Sequence, residues 1–201
     1  MRSGIEYDKA IRMTEVLPLN NAHLPVKLRL EDYLLLDEHG AFQDYAKTEL
    51  IEGDIFFMNA QHRPHARVKS RLFLAIADCL REIGGLEAIV EGSIAVPPYS
   101  SPEPDIVVTD DPEGKGLIPL QSVRLIVEVS DATLAFDMAR KRKLYADNAV
   151  PEYWVVDVNA GVIHQMWGPA DDAYAECREI AFGERFTAAT IPALCVDTSA
   201  L

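Results

Sequence analysis

Asp105, Glu128 and Lys141 are the residues of this chain whose types and settings could do chemistry together. Asp105 opens the apolar run DIVVT (105–109), straight after Pro104. Glu128 sits inside LIVEVS (125–130), where Leu125, Val127 and Val129 share one face of a strand and Ile126, Glu128 and Ser130 the other. An unpaired carboxylate is costly to bury, so Glu128 calls for a cation, a hydrogen-bond partner or a metal. If the two runs are antiparallel neighbours, the start of one lies beside the end of the other, and both acids can converge on one divalent ion. Their hard oxygen donors favour Mg²⁺ or Mn²⁺.

The positive charge comes from the helical segment that follows. Leu134, Met138, Lys141, Tyr145 and Ala149 fall on one stripe at the helical period, with Arg140 and Lys143 outward and Arg142 near the flank. Lys141 is the basic residue centred on the sheet-facing side, and Asp137 lies one turn before it. An earlier helix has the inner stripe Lys69, Leu72, Ile76, Leu80 and Ile83, which His65 extends into the first turn. His65 and Lys69 then face the sheet at a helix N-terminus, an end whose free N–H groups favour anions. Each residue alone has a plainer reading. A strand glutamate is commonly salt-bridged, an inward lysine commonly snorkels, Asp105 alone could be a turn residue, and a hydrogen-bonded histidine at a helix start is commoner than a catalytic base. Strand acid, strand acid and helix amine in that order are harder to dismiss.

The elements that must position them follow from the hydrophobic pattern. Residues 1–28 read as a loosely structured lead-in and 29–201 as one domain. Residues 29–39 read as a short helix, 49–59 as a hairpin or bent strand around Gly53, and 64–83 as a long helix opened by Pro64 and ended by Gly84-Gly85. Strands are expected over 88–96, 105–109, 122–130 and 152–158, with a helix over 134–149 and peripheral strands over 162–167 and 173–182. The run SVRLIVEVS is apolar enough to be covered on both faces. The fold class is α/β, a mixed sheet flanked by helices.

Composition narrows the partners. A net charge of −13 argues against non-specific coating of nucleic acid. Even so, Arg63, Arg67, Lys69 and Arg71, and then Arg140 to Lys143, form local basic clusters suited to brief contact with a polyanion, or to two solvated helix faces. The start MRSGIEYDKAIRM lacks the apolar core of a signal peptide, and no apolar run reaches the roughly 18 residues of a membrane span. Three scattered cysteines without a CxxC pair read as reduced thiols in a cytoplasmic protein. Edges of the strands after residue 160 leave a homodimer possible.

Taken together, Pro104-Asp105, the strand glutamate, Asp137-x-x-x-Lys141-x-x-x-Tyr145 and Glu152-Tyr153-Trp154-x-x-Asp157 resemble the Uma family of restriction-endonuclease relatives, a branch of the PD-(D/E)XK nuclease superfamily. ELIEGDI (49–55) resembles that family's acidic N-terminal segment, and the resemblance runs over roughly residues 29–195. It implies a restriction-endonuclease-like core and a metal-dependent endonuclease acting on DNA. Asp105, Glu128 and the carbonyl of Val129 would be metal ligands, and Glu49 would be the N-terminal acid, with Glu52 as its alternative. The superfamily's lysine usually lies two residues after the glutamate, where this chain has Ser130; the resemblance implies that Lys141 takes its place. His65 and Lys69 would hold a flanking phosphate. A nuclease-fold binding or scaffold protein without turnover and a hydrolase of smaller phosphoesters are the rival readings. A carboxylate-pair glycosidase ranks last because it gives Lys141 no role.

Overall fold

The computed structural model describes residues 25–58 and 60–201. The expected lead-in falls, apart from its last four residues, outside the described residues, as does the segment read for a signal peptide. The chain begins with α1 (Leu30–Glu38), then the hairpin β1 (Thr48–Ile51) and β2 (Asp54–Phe57). The two-residue turn needs positive φ at both centres, met by Glu52 at 51° and Gly53 at 79°. Gly53 is also required by space: a Cβ there would lie 2.6 Å from Cβ of Lys27. The long helix α2 (Arg63–Ile83) follows, then β3 (Glu87–Val90), β4 (Ile94–Ala95), β5 (Ile106–Thr109), β6 (Ile118–Pro119) and β7 (Val123–Ser130). A continuous helical segment comes next: α3 (Leu134–Phe136), a π turn (Asp137–Lys141) and α4 (Arg142–Asp147). The chain closes with β8 (Glu152–Asp157), β9 (Val162–Ala170), β10 (Ala173–Ala181), β11 (Arg185–Thr187) and β12 (Cys195–Asp197).

Among the described residues the main sheet has the order β10-β9-β8-β7-β5-β3. Only β7 and β8 pair in parallel there, because the helical segment between them makes a crossover; the other neighbours are antiparallel. Side-chain alternation on β7 divides the core. Leu125, Val127 and Val129 pack with α2 through Leu72, Ile76 and Leu80. Ile126 packs on the other side with Leu144, Tyr145 and Tyr153. β7 is therefore covered on both faces, as its composition requires.

Several expectations need correction. The run 88–96 is not one strand: Glu91 has φ 55° and the chain leaves the main sheet, so β4 pairs with β6 instead. The helix expected to reach residue 149 ends at Asp147, and Ala149, with φ 55°, is exposed rather than on the buried stripe. Arg140 does not point into solvent but holds the β1–β2 turn. The short strands β6, β11 and β12 were not anticipated. Among the described residues, no helix is long and apolar enough to cross a membrane, and Cys79, Cys177 and Cys195 are free thiols.

Candidate active site

The register of β5 on β7, with Ile106 opposite Val127, brings Asp105 alongside Glu128 at the end of the pair. Asp105 is held from all sides. Its Oδ2 accepts the Val129 N–H at 2.8 Å and lies 3.2 Å from His65 Nε2, while Oδ1 accepts from Gln61 Nε2 at 3.3 Å and lies 3.3 Å from Lys69 Nζ. Burial pushes its carboxyl up, but His65, the Val129 N–H and Lys69 outweigh that and hold it below the usual aspartate value.

Glu128 is on the opposite side of the charge balance. Its Oε1 accepts from Lys141 Nζ at 3.0 Å and Tyr145 Oη at 2.9 Å, both from the helical segment that packs on its face of the sheet. Lys141 Nζ also lies 3.1 Å from Glu49 Oε2, which accepts the Glu103 N–H at 3.3 Å. One ammonium thus bridges two buried carboxylates. Burial raises the Glu128 carboxyl well above its usual value; Lys141 opposes this, while Asp137, Asp105 and Glu49 reinforce it. Burial alone would lower the Lys141 ammonium, but Glu128, Glu49 and Asp137 hold it firmly protonated. Asp137 accepts from Ser130 Oγ at 2.7 Å and Thr133 Oγ1 at 2.6 Å, which ties the π turn to the end of β7.

These groups line one cleft of about 610 Å³. Its walls carry Glu49, Glu91, Glu103, Asp105, Glu128, Asp131 and Asp137, and Lys141 is its lysine. Lys47 and Lys69 pair with residues of these walls: Lys47 binds Glu91 and Glu103, and Lys69 binds Glu91 and Gln61. Glu91, Glu103, Gln61 and Lys47 had no periodic signal in the sequence, because loops deliver them. The Glu-Gly pair at 91–92 inside an apolar run was the one available hint. Glu49 and Glu52 differ in setting. Glu49 is buried beside Lys141, whereas Glu52 is half-exposed at the hairpin turn and paired with Arg140. His65 and Lys69 face the sheet as expected, but both are engaged with Asp105.

The donor set suits a hard divalent cation. Carboxylate negative charge exceeds the lysine charge around the cleft, and among the described residues Oε1 of Glu128 accepts two hydrogen bonds and Oε2 none. Among the described side chains, no group of three or more His, Cys, Asp and Glu is already arranged around a common ion. Lys141 stands between Glu49 and Glu128 in this arrangement.

Comparison with known proteins agrees with this architecture. The sequence model of the family Uma2, described as "putative restriction endonuclease", matches residues 30–199. The crystal structure of a "putative nuclease belonging to DUF820" from Anabaena variabilis is similar in fold. It has a TM-score of 0.58 at 17% identity, over 81% of this chain and 88% of that one. No curated protein sequence matches the chain significantly.

Proposed function

This chain belongs to the Uma2 family of restriction-endonuclease relatives, and on that premise we propose that it is a divalent-metal-dependent nuclease hydrolysing phosphodiester bonds of DNA. The observation that carries the reading is the buried ammonium of Lys141 in contact with both Glu49 and Glu128, with Asp105 in the same cleft. Asp105, Glu128 and the Val129 carbonyl would hold Mg²⁺ or Mn²⁺. When bound, such an ion supplies Lewis acidity and lowers the pKa of a coordinated water.

The chain's own groups do the rest. Asp105 is fixed in place by the Val129 N–H, His65 and Lys69, so these last two serve the phosphate through the carboxylate they orient. Tyr145 fixes the Glu128 carboxylate. Lys141 keeps its proton and is the positive charge for the attacking water and the phosphoryl oxygens, a preorganised electrostatic role. Glu49 holds Lys141 on the side away from Glu128.

The test uses purified protein with Mn²⁺ and plasmid, single-stranded DNA, RNA and a small phosphodiester as substrates. Asp105→Ala, Glu128→Ala and Lys141→Ala are each expected to lower cleavage by at least about 100-fold, with circular dichroism unchanged. Undiminished cleavage in any of the three variants rejects the assignment. Cleavage of the small diester alone would move the substrate to smaller phosphoesters.

A further inference from the structure

The hairpin that supplies Glu49 also carries an aromatic ring that the fold does not use. Phe57 on β2 is 60% exposed, and Tyr45 beside it is 52% exposed, with ring centroids 5.8 Å apart. Leaving most of a phenyl ring in water forgoes burial that would stabilise the fold. Its neighbour Phe56 is used, packed on Phe136 at 5.1 Å and under Arg140 at 4.9 Å. Phe57 nevertheless lines the same cleft as Glu128 and Lys141.

Charge narrows what the ring receives. Duplex binding rests on many free Lys and Arg contacts to phosphates. Here the chain carries −13, and the lysine lining the cleft is spent on Glu49 and Glu128. Lys47 and Lys69 are spent on other carboxylates. A cleft of about 610 Å³ falls in the range that encloses a nucleotide-sized ligand. Stacking on an aromatic ring contributes binding that acidic walls do not oppose, and a base is free to stack only when it is unpaired.

We propose that the cleft takes an unpaired nucleotide next to the phosphate under attack, with its base stacked on Phe57. The inference rests on the nuclease reading for the position of the phosphate and adds the class of substrate: single-stranded or locally unpaired nucleic acid.

Binding is measured without turnover, by fluorescence anisotropy of a labelled single-stranded oligonucleotide of roughly 12 residues and of its duplex. The single strand binds tighter than the duplex, and Phe57→Ala weakens the single strand by about 5- to 150-fold, as loss of one stacked base predicts. Phe57→Trp retains binding. Substituting abasic sites one at a time finds a position where wild type loses affinity by that factor and Phe57→Ala loses nothing further. Equal single-strand affinity in wild type and Phe57→Ala, equal affinity for duplex, or no abasic position that cancels the variant's effect overturns the proposal and leaves the ring to a protein partner. Cleavage assays on the same oligonucleotides read the nuclease step separately. Absent cleavage with stacking intact would overturn the catalytic reading and not this one.

Discussion

Lys141 is surrounded by more carboxylate than it can neutralise, and several consequences are visible at the scale of single residues. Glu128 has its carboxyl raised by burial and by neighbouring acids, so below that elevated pKa a divalent ion must displace a proton to bind. Metal affinity is therefore expected to strengthen as pH rises through the Glu128 pKa, with proton release, and Glu128→Gln to flatten the dependence. Calorimetric titration of Mn²⁺ in buffers of different ionisation enthalpy measures both, and a pH-independent affinity would contradict it. In the absence of metal, the raised carboxyl of Glu128 contributes stability that is fully present below its unfolded pKa and is lost as pH rises through the folded one. Asp105 has the reverse sign: its depressed pKa gives stability above its unfolded value that is lost as pH falls through the folded one. Lys141→Met removes the shared cation and leaves Glu49 and Glu128 uncompensated, a loss of about 3–5 kcal/mol by denaturant titration, partly restored by Mg²⁺. Destabilisation below about 1 kcal/mol would mean the bridge contributes no more than a surface pair. Glu128 and Lys141 were legible in the sequence because each interrupts an apolar pattern, and Asp105 because it opens an apolar run straight after a proline. Glu49 was legible only through resemblance, since its strand is too short to show a period. Gln61, Glu91 and Glu103 were not legible, because tertiary packing rather than local pattern brings them in.

At the scale of elements, neighbouring residues of the π turn grip the two parts of one hairpin. Lys141 meets Glu49 inside the cleft, while Arg140 donates to Glu52 at 3.0 Å, Asp54 at 2.6 Å and the Ile51 carbonyl at 3.1 Å around its turn. The π turn, a feature frequent at functional sites, is where the even helical period fails, so the outward placement of Arg140 expected from that period is overridden. Arg140→Ala is expected to free the turn, lowering kcat more than it raises KM; Arg140→Lys restores only part, because a single ammonium cannot reproduce the forked contacts. A KM effect with kcat intact would make Arg140 a substrate contact instead of a positioning residue. The break after β3 follows a similar logic. The apolar composition of 88–96 promises a strand, but the left-handed backbone at Glu91 turns its carboxylate to Lys47 and Lys69.

At the scale of the whole molecule, the mixed sheet was legible because the strands that became β7 and β8 are rich in apolar residues and a helical segment separates them; that these two pair in parallel was not read from the sequence. The β11–β12 unit was not, since its strands have three residues each and depend on a distant anchor. That anchor is Glu152, which is fully buried and accepts from Trp154 Nε1 at 2.6 Å, Gln165 Nε2 at 2.6 Å, and Thr190 N–H at 2.7 Å. Glu152→Ala leaves these donors unsatisfied and is expected to cost about 3 kcal/mol or more, with early loss of amide protection over residues 185–197; uniform protection would contradict the anchoring role. A divalent ion held in the cleft between the strand acids, beside the helix amine, is what every catalytic role above requires. Anomalous diffraction from crystals soaked in Mn²⁺ measures this directly. The predicted result is a peak in the cleft within about 2.2 Å of carboxylate oxygens of both Asp105 and Glu128, lost in Glu128→Ala. A cleft without a peak, or a peak touching neither acid, would contradict it.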